Sequence, residues 1–239
     1  MPARPRLVLV HGSVGNGAAT WAAQGPLAER FELVVLDRPG FPPGPSVASV
    51  DFEEHGRWLT ERLEPGDHLA GHSYGGIVSL LAAAERPELV RSLTVIEPPC
   101  FRIARGEPAA DAAIEALERH WGEGPREPRE FLIGFFALVS DRPPSLPDPL
   151  PPDLEQGART LMVERLPSEA EIPFERLAAA PFPKLAVSGG HSAAFDLVCD
   201  VLEKRIGAER LVIRGAGHNP QTAPGFNEAF AEFLEWAGS

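Results

Sequence analysis

The chain has 239 residues, enough for one well-buried domain with room for an inserted subdomain. Its hydrophobic share of 44% and charged share of 23% are those of an ordinary globular protein. The net charge of −12, from 22 basic against 34 acidic residues, argues against nucleic acid or anionic membrane surfaces as partners.

At the N-terminus Arg4 and Arg6 precede an apolar run of only Leu7 to Val10, which His11-Gly12 ends. That run is too short for a signal-peptide core, and no stretch approaches the roughly 20 apolar residues of a membrane helix. The two cysteines, Cys100 and Cys199, match no metal or redox spacing. A cytoplasmic protein without metal or cofactor is expected, acting on a small molecule.

Short apolar runs then alternate with longer helical ones, the pattern of a parallel sheet with crossover helices. The predicted strands are Leu7–Val10, Leu33–Leu36, His68–Ala70, Ser92–Ile96, Leu185–Ser188 and Leu211–Arg214. Each is nearly continuous in apolar residues, as expected for strands covered on both faces. After the last strand, Phe226, Phe230, Phe233 and Leu234 recur at helical spacing. The alternation breaks over residues 98–182, which are rich in proline and hold three predicted helices, Ala109–His120, Pro128–Val139 and Asp153–Leu166. The expected organisation is an α/β core of residues 1–97 and 183–239, with 98–182 a helical lid over the C-terminal edge of a mostly parallel, doubly wound sheet. Open α/β sheets bind their ligands along that edge.

The strongest local signal is Gly71-His72-Ser73-Tyr74-Gly75, between a predicted strand and the apolar run Ile77–Ala84. A G-x-S-x-G pentapeptide in that context presents a serine at the apex of a tight strand-to-helix turn, with glycines leaving room for the backbone. Ser73 is the candidate nucleophile. A serine hydroxyl needs a base, and neutral imidazole suits that role near neutral pH. His218, in Gly215-Ala216-Gly217-His218-Asn219-Pro220 after the last strand, is the candidate.

Two positions compete for the acid that orients the imidazole. Glu97 ends Leu93-Thr94-Val95-Ile96-Glu97-Pro98-Pro99, where the prolines stop the strand and hold the carboxylate at the Ser73 edge. Asp196 follows Leu185–Ser188, but it falls with Asp200 and Glu203 on the polar side of a predicted helix that Ser192 would cap. Glu97 is favoured over Asp196, and an incomplete triad is the third alternative. For the oxyanion of acyl transfer, the expected donors are the backbone N–H groups of Tyr74 and of Ser13, the latter in His11-Gly12-Ser13-Val14-Gly15-Asn16-Gly17. That turn lacks the pattern of a phosphate-binding loop. In the lid, Trp121 and Phe135 are expected to meet an apolar part of the substrate.

With His11-Gly12-Ser13, Asp37-Arg38-Pro39-Gly40-Phe41, Gly71-His72-Ser73-Tyr74-Gly75-Gly76 and Gly217-His218 in this order, the chain resembles the α/β-hydrolase superfamily, and within it the lid-bearing esterase-like members. The resemblance covers nearly the whole chain. It implies Ser73 as nucleophile, His218 as base, and Ser13 and Tyr74 as oxyanion donors. The family's leading antiparallel hairpin is not evident, and its usual acid position after the penultimate strand is Ser192 here. Some members carry the acid one strand earlier, where this chain has Glu97. The expected activity is hydrolysis of a small to medium apolar carboxylic ester or lactone through an acyl-enzyme. The alternatives are a non-catalytic ligand-binding protein on the same fold, and a carbon–carbon bond hydrolase, lyase or perhydrolase using the same residues.

Overall fold

Alternate residues of the first strand serve two different cores. Leu7 and Leu9 pack on one face of a six-stranded sheet with Phe226, Phe230 and Leu234, while Val8 and Val10 pack on the other with Ile77, Val78 and Val198. The computed structural model describes residues 4–238; Met1 to Ala3, the start of the N-terminal segment discussed above, and Ser239 lie outside the described residues.

The strands are β1 (Arg6–Val10), β2 (Glu32–Leu36), β3 (Asp67–His72), β4 (Val90–Ile96), β5 (Lys184–Ser188) and β6 (Glu209–Val212). They lie in the order β2-β1-β3-β4-β5-β6, and every pairing is parallel. The helices are α1 (Gly17–Thr20), α2 (Phe52–Thr60), α3 (Tyr74–Glu85), α4 (Pro108–Glu123), α5 (Pro128–Val139), α6 (Pro152–Leu161), α7 (Phe174–Ala179), α8 (Ala193–Ile206) and α9 (Phe226–Gly238). Among the described residues no helix is long and apolar enough to cross a membrane.

All six expected strands are present, with one shift. The last begins at Glu209, two residues before its apolar part, and ends at Val212 instead of Arg214. As an edge strand it tolerates the polar pair Glu209-Arg210 that hid its start. The helix expected over 153–166 stops at Leu161. Beyond it the chain bonds to Val50 on both sides, Val50 N–H to the Val163 carbonyl at 3.0 Å and Arg165 N–H to the Val50 carbonyl at 2.8 Å. Ser192 occupies the position before α8 but makes no side-chain capping hydrogen bond.

Strand order places the site. Sequential connections run outward from β1 to β2 on one side, and from β3 towards β6 on the other. The loops after β1 and β3 therefore diverge and leave a crevice between them, where such sheets take their ligands. Register brings Val10 opposite Gly71, His72 opposite Ile96, and Ile96 opposite Val187, so the loops that follow emerge at one level. Helices α4 to α7 lie between β4 and β5 in sequence, and α5 and α6 form a third apolar cluster with Val14 of the loop after β1.

Candidate active site

At the end of β3 the chain must turn at once into α3. Ser73 makes that turn with φ +52° and ψ −127°, a conformation that L-residues rarely adopt. The surroundings hold it there. Ser73 N–H donates to the Ile96 carbonyl at 2.8 Å, and its own carbonyl accepts from Gly76 N–H at 2.7 Å. A side chain on Gly71 would collide with the Gly75 carbonyl, and one on Gly75 with the His11 carbonyl. Both glycines of the pentapeptide are thus required by close backbone approach.

Glu97 leaves β4 in a second strained turn, at φ +49°, and its N–H donates to the Val187 carbonyl at 2.9 Å. One carboxylate oxygen accepts from Gly189 N–H at 2.6 Å. The other lies 3.2 Å from Nδ1 of His218, whose Nε2 lies 3.1 Å from Ser73 Oγ. Three residues far apart in sequence form one continuous relay, with the carboxylate fully buried and the serine and imidazole at 6% and 8% exposure.

Burial pushes the Glu97 carboxyl up to about 7, against the pull of Gly189 N–H and His191. Burial, with His191 adding to it, pushes His218 down to about 3, so its ring is neutral near pH 7 and free to accept a proton. Asp196, the rival for the acid, is engaged elsewhere. It bonds to Ser188 Oγ and sits 3.0 Å from Arg210, which also holds Asp200 at 3.0 Å. The polar side of α8 is thus an ion-paired surface against β6.

The loop after β1 forms the other wall. Gly15 N–H closes a three-residue turn onto the Ser13 carbonyl at 2.9 Å, with Val14 at φ +74°, an outlier for a β-branched residue. His11 ties this loop to the Asp37-Arg38 segment. Its Nδ1–H donates to the Gly12 carbonyl at 2.7 Å, and its Nε2 accepts from Arg38 N–H at 2.9 Å. From above, Ser13 Oγ donates to Glu164 at 2.5 Å, and Gly157 of α6 touches the Val14 carbonyl so closely that a side chain there would clash. Glu164 also pairs at 2.5 Å with Arg38, which is fully buried between the rings of Phe41 and Tyr74. Tyr74 is the first residue of α3, so its N–H has no intrahelical acceptor. Its ring packs on Arg38 and Phe52, away from the cavity.

A cavity of about 250 Å³ opens above Ser73. Ser13, Ser73 and His218 line its floor and Phe135, Phe136 and Val139 one wall, with Arg142 and Pro144 also in the lining. Phe135 is thus part of the cavity lining. Trp121 does not line the cavity; it packs edge-on against Phe131 and Phe135, and its Nε1–H donates to the Glu164 carbonyl at 3.1 Å. Its indole N–H needed a buried acceptor, and that acceptor lies behind the wall.

A family model described as the alpha/beta hydrolase family matches residues 7–232. The chain belongs to the alpha/beta hydrolase family. Among curated members it is similar to the pimeloyl-[acyl-carrier protein] methyl ester esterase of Aeromonas hydrophila subsp. hydrophila, 39% identical over 108 residues that cover 43% of this chain and 41% of that protein. The protein of the same name from Methylococcus capsulatus is 31% identical over 160 residues, covering 59% of this chain and 62% of that one. The chain therefore spans less than two thirds of the length of these relatives. Among solved structures it is similar to a membrane phospholipase A described as a bacterial virulence factor. That match has 26% identity and a TM-score of 0.75, and covers 99% of this chain and 80% of the other.

Some residues that shape this site were not singled out by the sequence. His72, read only as part of a turn, donates Nε2–H to the His218 carbonyl at 2.8 Å and so anchors the loop that holds the imidazole. Glu164 and Arg38 bond across 126 residues of chain. A buried ion pair between distant segments leaves no local pattern, although Arg38 within its Asp37–Phe41 motif was a partial pointer.

Proposed function

We propose that the chain is a carboxylic ester hydrolase in which Ser73 is the nucleophile, His218 the general base and Glu97 the acid that orients it. The observation that carries this reading is the unbroken relay of 3.1 and 3.2 Å from Ser73 Oγ through His218 to Glu97, at the floor of a cavity. In the first half-reaction Ser73 Oγ attacks the ester carbonyl carbon as His218 Nε2 takes the hydroxyl proton. The resulting oxyanion is met by the N–H groups of Tyr74 and Ser13, and the alcohol leaves with the proton from Nε2. Water, deprotonated in turn by His218, then releases the acid and restores the serine. Glu97 holds the ring with Nδ1–H towards itself and stabilises the transient imidazolium.

Segment 98–182 acts as the lid in this proposal. Its apolar wall and the small cavity favour an ester or lactone with a small to medium apolar group, since pockets for larger ligands run to roughly 300–1,000 Å³. The esterase names of the curated relatives support the bond type. The buried free thiols of Cys100 and Cys199 fit a reducing compartment, and with it the cytoplasm. The alternative of a silent binding protein drew on the unassigned acid, and the Glu97 contact weakens it.

The test is labelling with a fluorophosphonate, read by intact mass and peptide mapping on wild type and Ser73→Ala. A single adduct on Ser73, absent from the variant, is expected. A folded wild-type protein that takes no adduct, or takes it at another residue, overturns the proposal.

A further inference from the structure

A third ring, that of His191, faces the same Glu97 carboxylate oxygen as His218. Its Nε2 lies 3.2 Å from the Val139 carbonyl, which can only accept, so Nε2 carries the hydrogen and Nδ1 of the neutral ring bears a lone pair. This Nδ1 belongs to a side chain only 4% exposed, makes no hydrogen bond, and points at Glu97 Oε2 from 3.7 Å. Two acceptors facing each other in a buried site call for a proton or a cation between them. Arg210, the guanidinium whose charge acts on Glu97, is paired with Asp196 and Asp200.

His218 Nδ1 approaches the same carboxylate oxygen at 3.2 Å, and the three atoms all lie within 4.8 Å of one another. Bonds of about 2.0–2.1 Å in a tetrahedral zinc site set ligand atoms roughly 3.3–3.4 Å apart. The two contacts of 3.2 and 3.7 Å bracket that spacing. The outer contacts are also those of a metal centre. His191 donates its other ring N–H to a carbonyl, Glu97 accepts from Gly189 N–H, and Phe195 packs against both imidazoles at centroid distances of 5.8 and 4.8 Å.

We propose that Glu97, His191 and His218 form an inhibitory site for a divalent transition-metal ion of the zinc type. Metal binding itself is independent of the hydrolase reading; only the inhibition rests on it. Two imidazoles and one carboxylate suit zinc and are poor in the oxygen ligands that magnesium and calcium require. When the ion takes Nδ1 of His218, the proton there moves to Nε2 through solvent, with no net loss from the ring. Nε2 then carries a hydrogen towards Ser73 and cannot accept the hydroxyl proton, so hydrolysis stops. Chelation of the ion reverses the change.

The experiment is equilibrium dialysis of the full chain against zinc sulfate near neutral pH, with bound metal measured by atomic emission. Wild type and Ser73→Ala are expected to take up a single equivalent, and magnesium none. His191→Gln should bind at least about tenfold more weakly, with His218→Gln as the second variant should the first fail to fold. Ester turnover by wild type should fall in zinc and return with EDTA. No zinc uptake by wild type overturns the proposal. Undiminished uptake by folded His191→Gln overturns it as well. Zinc uptake that depends on His191, in a protein whose Ser73 takes no fluorophosphonate, would keep the metal site and remove the hydrolase reading.

Discussion

The floor and the wall of the cavity are built by different rules. Ser73 and Glu97 stand at the first residue beyond adjacent strands, and backbone hydrogen bonds to Ile96 and Val187 set their spacing. His218 is held by the loop after β6, anchored through His72. The wall of Phe135, Phe136 and Val139 comes from α5, where no strand register applies. Its position depends on side-chain packing against Trp121 and Phe131, and on the link from Glu164 to Ser13 and Arg38. The floor inherits its precision from a hydrogen-bonded lattice, whereas the wall can be reshaped without touching it.

The sharpest break in this comparison is Ser73→Ala. Ester hydrolysis should fall by at least about 10³-fold with no change in melting temperature. A residual rate within an order of magnitude of wild type would mean the floor is not where the chemistry occurs. Glu97→Gln keeps the shape of the floor but removes the charge behind the imidazole, and kcat should drop by roughly 10²–10⁴-fold while circular dichroism is unchanged. Near-normal kcat in that variant would sink the assignment of the acid.

The link between floor and wall is tested by Glu164→Ala, which strands the fully buried Arg38 guanidinium. Breaking a buried pair in this way costs about 3–5 kcal/mol, measurable by urea denaturation. A cost below about 1 kcal/mol would show that the wall does not lean on this pair.

A smaller effect comes from pH, outside the Ser73 relay. Burial pushes His55 and His72 down to about 3 and His68 to about 4, and lowers His11 and His120 below the ordinary histidine value. Burial likewise pushes Glu164 up to about 7, against the pull of Arg38 and Ser13. Below the ordinary histidine value of 6.5 the unfolded chain takes up protons that these five rings resist, so their contribution to stability is lost as pH falls. Glu164 acts in the opposite sense, gaining stability as pH drops from about 7 towards its ordinary 4.5. With five rings against one carboxyl, stability should decline as pH falls below 6.5, read as a lower melting temperature at pH 5 than at pH 7. An equal or higher melting temperature at pH 5 would contradict this balance.

The wall alone is probed by Phe135→Ala. KM for an apolar ester should rise by about tenfold with kcat little changed, an effect of roughly 1–2 kcal/mol on binding. An equal loss in kcat would mean that Phe135 also positions the reacting carbonyl, and the division between floor and wall would need redrawing.

The parallel sheet, the order of its elements and the candidate residues Ser73, His218 and Glu97 were legible because each rests on local chemistry. Apolar runs mark strands, glycines mark the turns where backbones meet, and prolines mark where β4 must end. The same local rules misplaced the end of α6, because its termination depends on Val50, more than a hundred residues earlier in the chain. Between Glu97 and Asp196 the sequence only leaned to Glu97; tertiary structure shows Asp196 engaged by Arg210 and Glu97 beside His218. It also turned Trp121 away from the cavity, joined Glu164 to Arg38, and brought His191 beside Glu97. Each of these depends on desolvated polar groups finding partners across long stretches of chain, and such pairings follow from packing geometry, which no window of sequence contains.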